Sequence, residues 1–170
     1  LKYCVVECGS WWVGDLLWKA DVNFGASNKI KKMSSRMKGL ISRLPSEYFG
    51  TNVFIGASAM STYEISKRQV NGIDALMWGN DYPHPEGSWP HTVERLQSDF
   101  RSVSIEDTRR LLGLNAVECY DLDVAGLTEI AERIGPRPSD LHQDPALRTP
   151  PDAVRDARWW FDQYGIEWKG

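Results

Sequence analysis

The chain has 170 residues, of which 42% are hydrophobic and 25% charged, and its formal net charge is −3. This length suits one globular domain, and the composition is too polar on average for a membrane protein. The 20 basic and 23 acidic residues are intermixed along the chain, which excludes the concentrated basic surface that nucleic acid or anionic lipid requires.

The first third of the chain predicts two strands separated by helices. Tyr3 to Val6 is a short aromatic and β-branched run, which favours a buried parallel strand. Apolar residues at helical spacing predict a helix over residues 11–22 and a cationic helix over residues 28–44, which Pro45 ends. Val, Phe and Ile then predict a second strand over residues 52–57.

The middle of the chain predicts a third strand with a capped helix before it. Ser61 and Glu64 have the spacing of a capping box, which opens a short helix to about Val70. Residues 75–78 form the predicted strand, and Pro90 is well placed as the first residue of a helix that runs to about residue 100.

Further helices are predicted beyond residue 100. Ser104 caps the next helix, and Asn115 caps a short one that ends near Tyr120. Residues 127–134 form another helix, which Gly135 and Pro136 end. Strands that alternate with helices in this way predict an α/β fold built of parallel strand–helix–strand units.

The N-terminal end of the sequence indicates a fragment, and the C-terminal end indicates a segment distinct from the α/β unit. Leu1 stands within a residue or two of the first strand, so we expect this sequence to be a fragment of a longer chain; the alternative is a trimmed complete domain. Residues 1–136 form the predicted α/β unit. Residues 137–170 are a proline-rich segment followed by a tryptophan-rich C-terminal helix, which we expect to dock on it.

Three cysteines, Cys4, Cys8 and Cys119, give no disulfide framework. This sparse and odd set favours a reducing compartment, so we expect a cytoplasmic protein. Cys4 and Cys8 lack the spacing of a metal or redox motif, and packing in the core is their expected role.

Polar residues that follow the predicted strands are the candidate site. Glu7 follows the first strand, Ser58 the second and Asp81 the third, and in parallel α/β folds the ligand site lies at these strand ends. Asp81 can bind a divalent metal or accept a proton from water. The alternative is a carboxylate that caps the turn at Tyr82 and Pro83.

His84 and Glu7 are the other catalytic candidates. His84 has the chemistry of a ligand, an acid or a base, and the alternative is a polar loop residue. Glu7 directly follows an apolar run, so we expect its carboxylate to be partly desolvated unless a partner compensates it. It is then either a metal ligand or acid/base, or a structural carboxylate paired with an arginine or with backbone amides.

One long motif resembles a known family. The run is Trp78-Gly79-Asn80-Asp81-Tyr82-Pro83-His84-Pro85-Glu86-Gly87-Ser88-Trp89-Pro90. It is similar to the last-strand motif of the amidohydrolase-related (amidohydrolase 2) family of metal-dependent hydrolases, which includes aminocarboxymuconate-semialdehyde decarboxylase. Weaker similarity lies at residues 1–9 with Trp12, at 45–49 and at 111–123, and it extends to about Pro136.

The resemblance implies a TIM-type (β/α)8 barrel, of which this chain would supply about the last three strands. It implies that Asp81 ends the eighth strand and binds a divalent metal, usually zinc, or serves the catalytic water. The family's other ligands, histidines of the first and fifth strands, would lie upstream. Glu7 stands where many relatives have a sixth-strand histidine, so the usual zinc coordination is in doubt.

Two functions follow as expectations. The first is a metal-dependent hydrolase or non-oxidative decarboxylase for a small organic acid or derivative, with this chain inactive by itself. The second is a partial barrel that serves as a non-catalytic binding or assembly module. The expected partners are a small-molecule substrate and either a second copy or the missing N-terminal half of the barrel, with no nucleic acid and no membrane.

Overall fold

Three parallel strands form the sheet, as the sequence predicts. The computed structural model describes residues 1–27, 40–58, 60–84 and 87–141. The strands β1 (Tyr3–Val6), β2 (Val53–Ser58) and β3 (Leu76–Gly79) lie in the order β1-β2-β3, and both pairs are parallel. The α/β class is therefore confirmed, and each predicted strand is present to within a residue or two.

Helices connect and cover the strands. The described helices are α1 (Val13–Ser27), α2 (Thr62–Ser66), α3 (Thr92–Phe100), α4 (Ile105–Arg109), α5 (Asn115–Tyr120), α6 (Val124–Ile134) and α7 (Pro138–Leu141). Short 3-10 turns lie at Pro45–Tyr48 and Ile73–Ala75, and a π-helical turn at Arg110–Leu114 joins α4 to α5. None of the helices in the described ranges is long and apolar enough to cross a bilayer.

Local capping chemistry sets several helix ends as predicted. The Ser61 hydroxyl accepts from the backbone of Glu64 at the start of α2, and the Glu64 carboxylate returns to Ser61 as a capping box requires. The Ser104 hydroxyl accepts from the backbone of Asp107 at 3.1 Å and opens α4. Gly135 follows the last residue of α6.

Three helix predictions need correction. Residues 40–44 are not helical, and the rest of the helix predicted over 28–44 lies outside the described residues. Pro90 lies two residues before α3. Asn115 caps nothing, because the π-helical turn carries the chain from α4 into α5 without a break. The tryptophan-rich helix predicted in the tail also lies outside the described residues.

The two faces of the sheet are covered differently. Ile55, Ala57 and Leu76 point into the main core, where helices supply residues such as Val13, Ile65, Leu96, Phe100 and Leu111. Phe54 and Met77 point to the other face, where α5 covers them with Cys119 and Ala116. This second layer is small, so the face next to the strand ends stays open.

Strand β1 is more exposed than predicted. Tyr3 is 63% exposed and Val6 is 57% exposed. Among the described strands β1 pairs only with β2, which leaves its outer edge and part of both faces uncovered. The expectation of a buried strand is therefore wrong for these residues.

Candidate metal centre

The carboxyl ends of β1 and β3 bring Glu7, Asp81 and His84 together. Parallel strands end at the same edge of a sheet, and Glu7 and Asp81 follow β1 and β3 there. One ligand atom from each of the three residues lies within 4.8 Å of the others. The three candidates named from the sequence thus form one cluster.

The backbone is left-handed at two of the three positions. The φ angle is 54° at Glu7 and 61° at Asp81. This region costs an L-residue roughly 1–2 kcal/mol, although Asp tolerates it better than Glu. Strained residues of this kind are concentrated at functional sites, where the geometry of a side chain matters more than stability.

Asp81 is the most enclosed member of the cluster, with a side chain that is 13% exposed. The Ser58 hydroxyl at the end of β2 donates to Asp81 Oδ1 at 3.3 Å, and His84 Nδ1 lies 3.5 Å from Oδ2. The turn itself is held by other groups. Tyr82 N–H donates to the Asn80 side chain at 3.2 Å, and His84 N–H donates to the Asp81 carbonyl at 2.8 Å.

These contacts do not support the alternative in which the Asp81 carboxylate caps the turn at Tyr82 and Pro83. The capping contact at Tyr82 is made by the side chain of Asn80, and Asp81 contributes its backbone carbonyl. The Asp81 carboxylate is directed instead toward Ser58 and His84. A carboxylate held in this way by a neighbouring hydroxyl could serve as a metal ligand.

Glu7 and His84 lie at the solvent side of the cluster. Glu7 is exposed, and the His84 side chain is 53% exposed. The expectation that Glu7 is desolvated is therefore wrong. Glu7 lies beyond the last paired residue of β1, Val6, on a strand with an open edge, so the apolar run before it does not bury it.

A cleft of about 330 Å³ lies beside the cluster. Its walls are Val6, Glu7, Gly56, Ser58, Met77, Trp78, Gly79, Asn80, Asp81, Tyr82, Ala116 and Tyr120. Most of this lining is apolar, with Glu7, Ser58, Asn80 and Asp81 as polar groups on the side of the strand ends. Small-molecule sites are usually concave and mostly apolar with a few polar groups, and this cleft has that composition.

Tyr120 was not identified from the sequence as part of a site. It lies at the end of α5, and its hydroxyl donates to the Cys4 thiol at 3.7 Å across 116 residues of chain. This hydrogen bond, together with partial burial and the nearby thiols, raises the pKa of Tyr120 to about 12. The phenol is therefore neutral at physiological pH, and no local sequence signal reveals the contact.

The cysteines pack as predicted from their spacing. Cys8 packs against the main core, and Cys4 packs against the smaller cluster that contains Cys119. Burial raises the pKa of the Cys8 and Cys119 thiols, which keeps them protonated and poorly nucleophilic.

The donor set fits a divalent metal. Two carboxylates and one imidazole are hard and borderline ligands of the kind that zinc, manganese and iron accept. Ligand atoms of a tetrahedral zinc bound at about 2.0–2.2 Å lie about 3.3–3.6 Å apart, so the three atoms, which lie within 4.8 Å of one another, would have to move together by up to about 1.5 Å to hold one ion. Three protein ligands would leave a position open toward the cleft, as in catalytic metal sites.

Comparison with protein-family models, with curated proteins and with solved structures gives no match to this chain. The function is therefore inferred from the arrangement of Glu7, Asp81 and His84 and from the motif that carries two of them.

Proposed function

We propose that this chain carries part of the active site of a metal-dependent hydrolase or non-oxidative decarboxylase that acts on a small organic acid or its derivative. The observation that carries the proposal is the convergence of Glu7, Asp81 and His84 at the strand ends, beside an apolar cleft. The motif around Asp81 adds support, because it resembles the last strand of amidohydrolase-related barrels.

Asp81 is the principal ligand in this proposal, with Glu7 and His84 completing the set, and zinc is the expected metal. A divalent cation at this position would polarise a carbonyl or carboxylate oxygen of the substrate. Ser58 orients the Asp81 carboxylate through the hydrogen bond to Oδ1.

The remaining groups have distinct tasks. Glu7 and His84 are both exposed, so a metal held by them and Asp81 would be open to water and substrate. Met77, Trp78 and Ala116 form the apolar wall that excludes water from the bound substrate.

The three cysteines are free, which favours a reducing compartment, so the cytoplasm is the proposed location.

The test is turnover by the full-length protein on a panel of small carboxylic acids and esters, before and after chelation. Carbon dioxide release identifies decarboxylation, and alcohol or amine release identifies hydrolysis. Asp81→Asn should reduce kcat/KM at least about 100-fold, while Asp15→Asn on the exposed surface of α1 should leave it unchanged. Turnover that survives Asp81→Asn would remove Asp81 from the mechanism.

A second candidate is a non-catalytic binding or assembly module. The observation that favours it is the open edge of β1, where Tyr3 and Val6 are mostly exposed. Stoichiometric metal binding by a full-length protein that turns over none of the panel would support this candidate over the enzyme.

A further inference from the structure

We propose that Glu64 is a positioning residue for Glu7, acting through the loop that joins β1 to α1. The inference depends on the proposed function, because it assigns the control of one ligand of that site. Glu64 lies on α2, is 8% exposed, and does not belong to the cluster of Glu7, Asp81 and His84.

Both oxygens of the Glu64 carboxylate are occupied by donors from two loops. Oε1 accepts from the backbone N–H of Ser10 and, at 3.1 Å, from the Ser10 hydroxyl. Oε2 accepts from the backbone N–H of Ser61 at 3.0 Å and from its hydroxyl at 2.8 Å. Hydrogen bonds to an ionised carboxylate are among the stronger ones in proteins, so this link is rigid.

Only half of this arrangement is needed to cap a helix. The contacts to Ser61 complete the capping box of α2. The contacts to Ser10 join residues that are 54 positions apart and add nothing to that cap. Ser10 is fully buried, so this part of the loop packs against the Glu64 carboxylate and is not exposed to solvent.

The loop between Glu7 and Ser10 is held at both ends. Val6 pairs with Gly56 of β2 on one side, and the Ser10 carbonyl accepts from Val13 N–H in the first turn of α1 on the other. A Cβ on Gly9 would lie 3.0 Å from Glu64 Oε1, so the loop passes directly against the carboxylate. Glu7, whose φ is 54°, lies in this short span three residues before Ser10.

The prediction is that Glu64→Gln weakens metal binding through Glu7. A glutamine amide nitrogen cannot accept a hydrogen bond, so only one of the two backbone N–H groups keeps its partner, and the loop is released when the amide nitrogen faces Ser10. Second-layer contacts of metal sites contribute about 10–100-fold to affinity, and we expect about a tenfold loss of zinc affinity. Competition with a chromophoric chelator measures it.

Ser61→Ala is the matched control. It removes the capping hydroxyl of α2 but leaves the Ser61 N–H on Oε2 and both Ser10 contacts on Oε1. We expect it to lower the thermal stability while leaving zinc affinity within about twofold of the wild type. A loss of affinity equal to that of Glu64→Gln would mean that α2 stability, and not positioning, controls the site.

A second readout requires no metal. The backbone chemical shifts of Glu7 differ between the left-handed and extended regions, and Glu64→Gln should move them in the metal-free protein, whereas Ser61→Ala should not. Unchanged shifts and unchanged zinc affinity in Glu64→Gln, with binding still lost in Asp81→Asn, would overturn the positioning role and leave the metal site standing. A wild-type protein that binds no zinc would instead overturn the proposed function, and the positioning role with it.

Discussion

Glu7 and Asp81 both have a left-handed backbone, a conformation that glycine adopts without strain. Both residues follow a strand end, where glycine would relieve the strain without disturbing the sheet. Both keep a carboxylate there instead. A ligand site would require the side chain at both positions, although Asp121 has the same backbone conformation outside the cluster.

Glu7→Gly should therefore stabilise the metal-free protein while weakening the metal site. The released strain of about 1–2 kcal/mol, reduced by the entropy cost of glycine, leaves a gain of about 0.5–1 kcal/mol in the free energy of unfolding. Urea denaturation measures it. Asp121→Gly is the control, because Asp121 also has a positive φ of 55° but lies outside the cluster. It should gain less stability, because Asp tolerates this conformation better than Glu, and keep zinc affinity.

The contradicting outcome is a Glu7→Gly protein that is less stable than the wild type in the absence of metal. That result would mean that contacts of the Glu7 side chain already stabilise the fold, which is the structural alternative for this residue.

The proximity of Glu7 and Asp81 was predictable from the sequence, because each follows a predicted strand. Parallel strands converge at one edge, so polar residues after Val6 and Gly79 had to lie near each other. The role of Glu64 at Ser10 and the contact of Tyr120 with Cys4 were not predictable. Each joins segments that are far apart in sequence, and neither leaves a local pattern.

At the scale of elements, a buried carboxylate joins α2 to α3. Asp99 on α3 accepts hydrogen bonds from Arg95 and, at 2.9 Å, from Thr62 at the start of α2. Its side chain is fully buried. Burial raises the pKa of Asp99, and the attraction of Arg95 and the hydrogen bonds offset only part of that effect.

This gives a pH dependence with a defined sign. Because the pKa of Asp99 is higher in the folded than in the unfolded protein, its contribution to stability is fully present below about pH 4 and is lost as the pH rises through the folded value. The difference in unfolding free energy between wild type and Asp99→Asn should thus fall as the pH is raised from 4 to 7. A difference that grows over this range would mean that the pairing with Arg95 outweighs burial.

Elements were predictable where their ends depend on neighbouring residues. Ser61 and Ser104 cap their helices as their spacing indicates, because a cap needs only the next three residues. Asn115 has the same type of side chain but donates to the carbonyls of Ile73 and Leu76, both at 2.7 Å, and is fully buried. The Asn115 side chain therefore makes long-range contacts to Ile73 and Leu76 in place of a helix cap, and the sequence around Asn115 does not indicate these contacts.

For the molecule as a whole, strand β1 is notable because it pairs on one side only among the described strands, and because Tyr3 and Val6 are mostly exposed. An uncovered strand edge with apolar side chains favours pairing with further strands. We expect concentration-dependent self-association in sedimentation velocity experiments, and Tyr3→Lys should reduce it by placing a charge on the edge. Tyr63→Lys is the control, because Tyr63 is similarly exposed, at 58%, but lies on α2.

Self-association that is equal in the wild type and both variants would place the contact elsewhere on the surface. A wild type that remains monomeric over the whole concentration range would contradict the expectation of assembly.

The parallel α/β arrangement was predictable from the alternation of strands and helices, but three parallel strands are common to open sheets and barrels.

The central claim is that Glu7, Asp81 and His84 form a divalent metal site, and metal content tests it most directly. The chain is purified, dialysed against zinc and then against buffer, and its metal is measured by elemental analysis beside Asp81→Ala and the exposed control Asp15→Ala. We predict about one zinc per chain in the wild type and in Asp15→Ala, and a loss of that zinc in Asp81→Ala. Zinc that is retained in Asp81→Ala, or absent from all three, would contradict the claim.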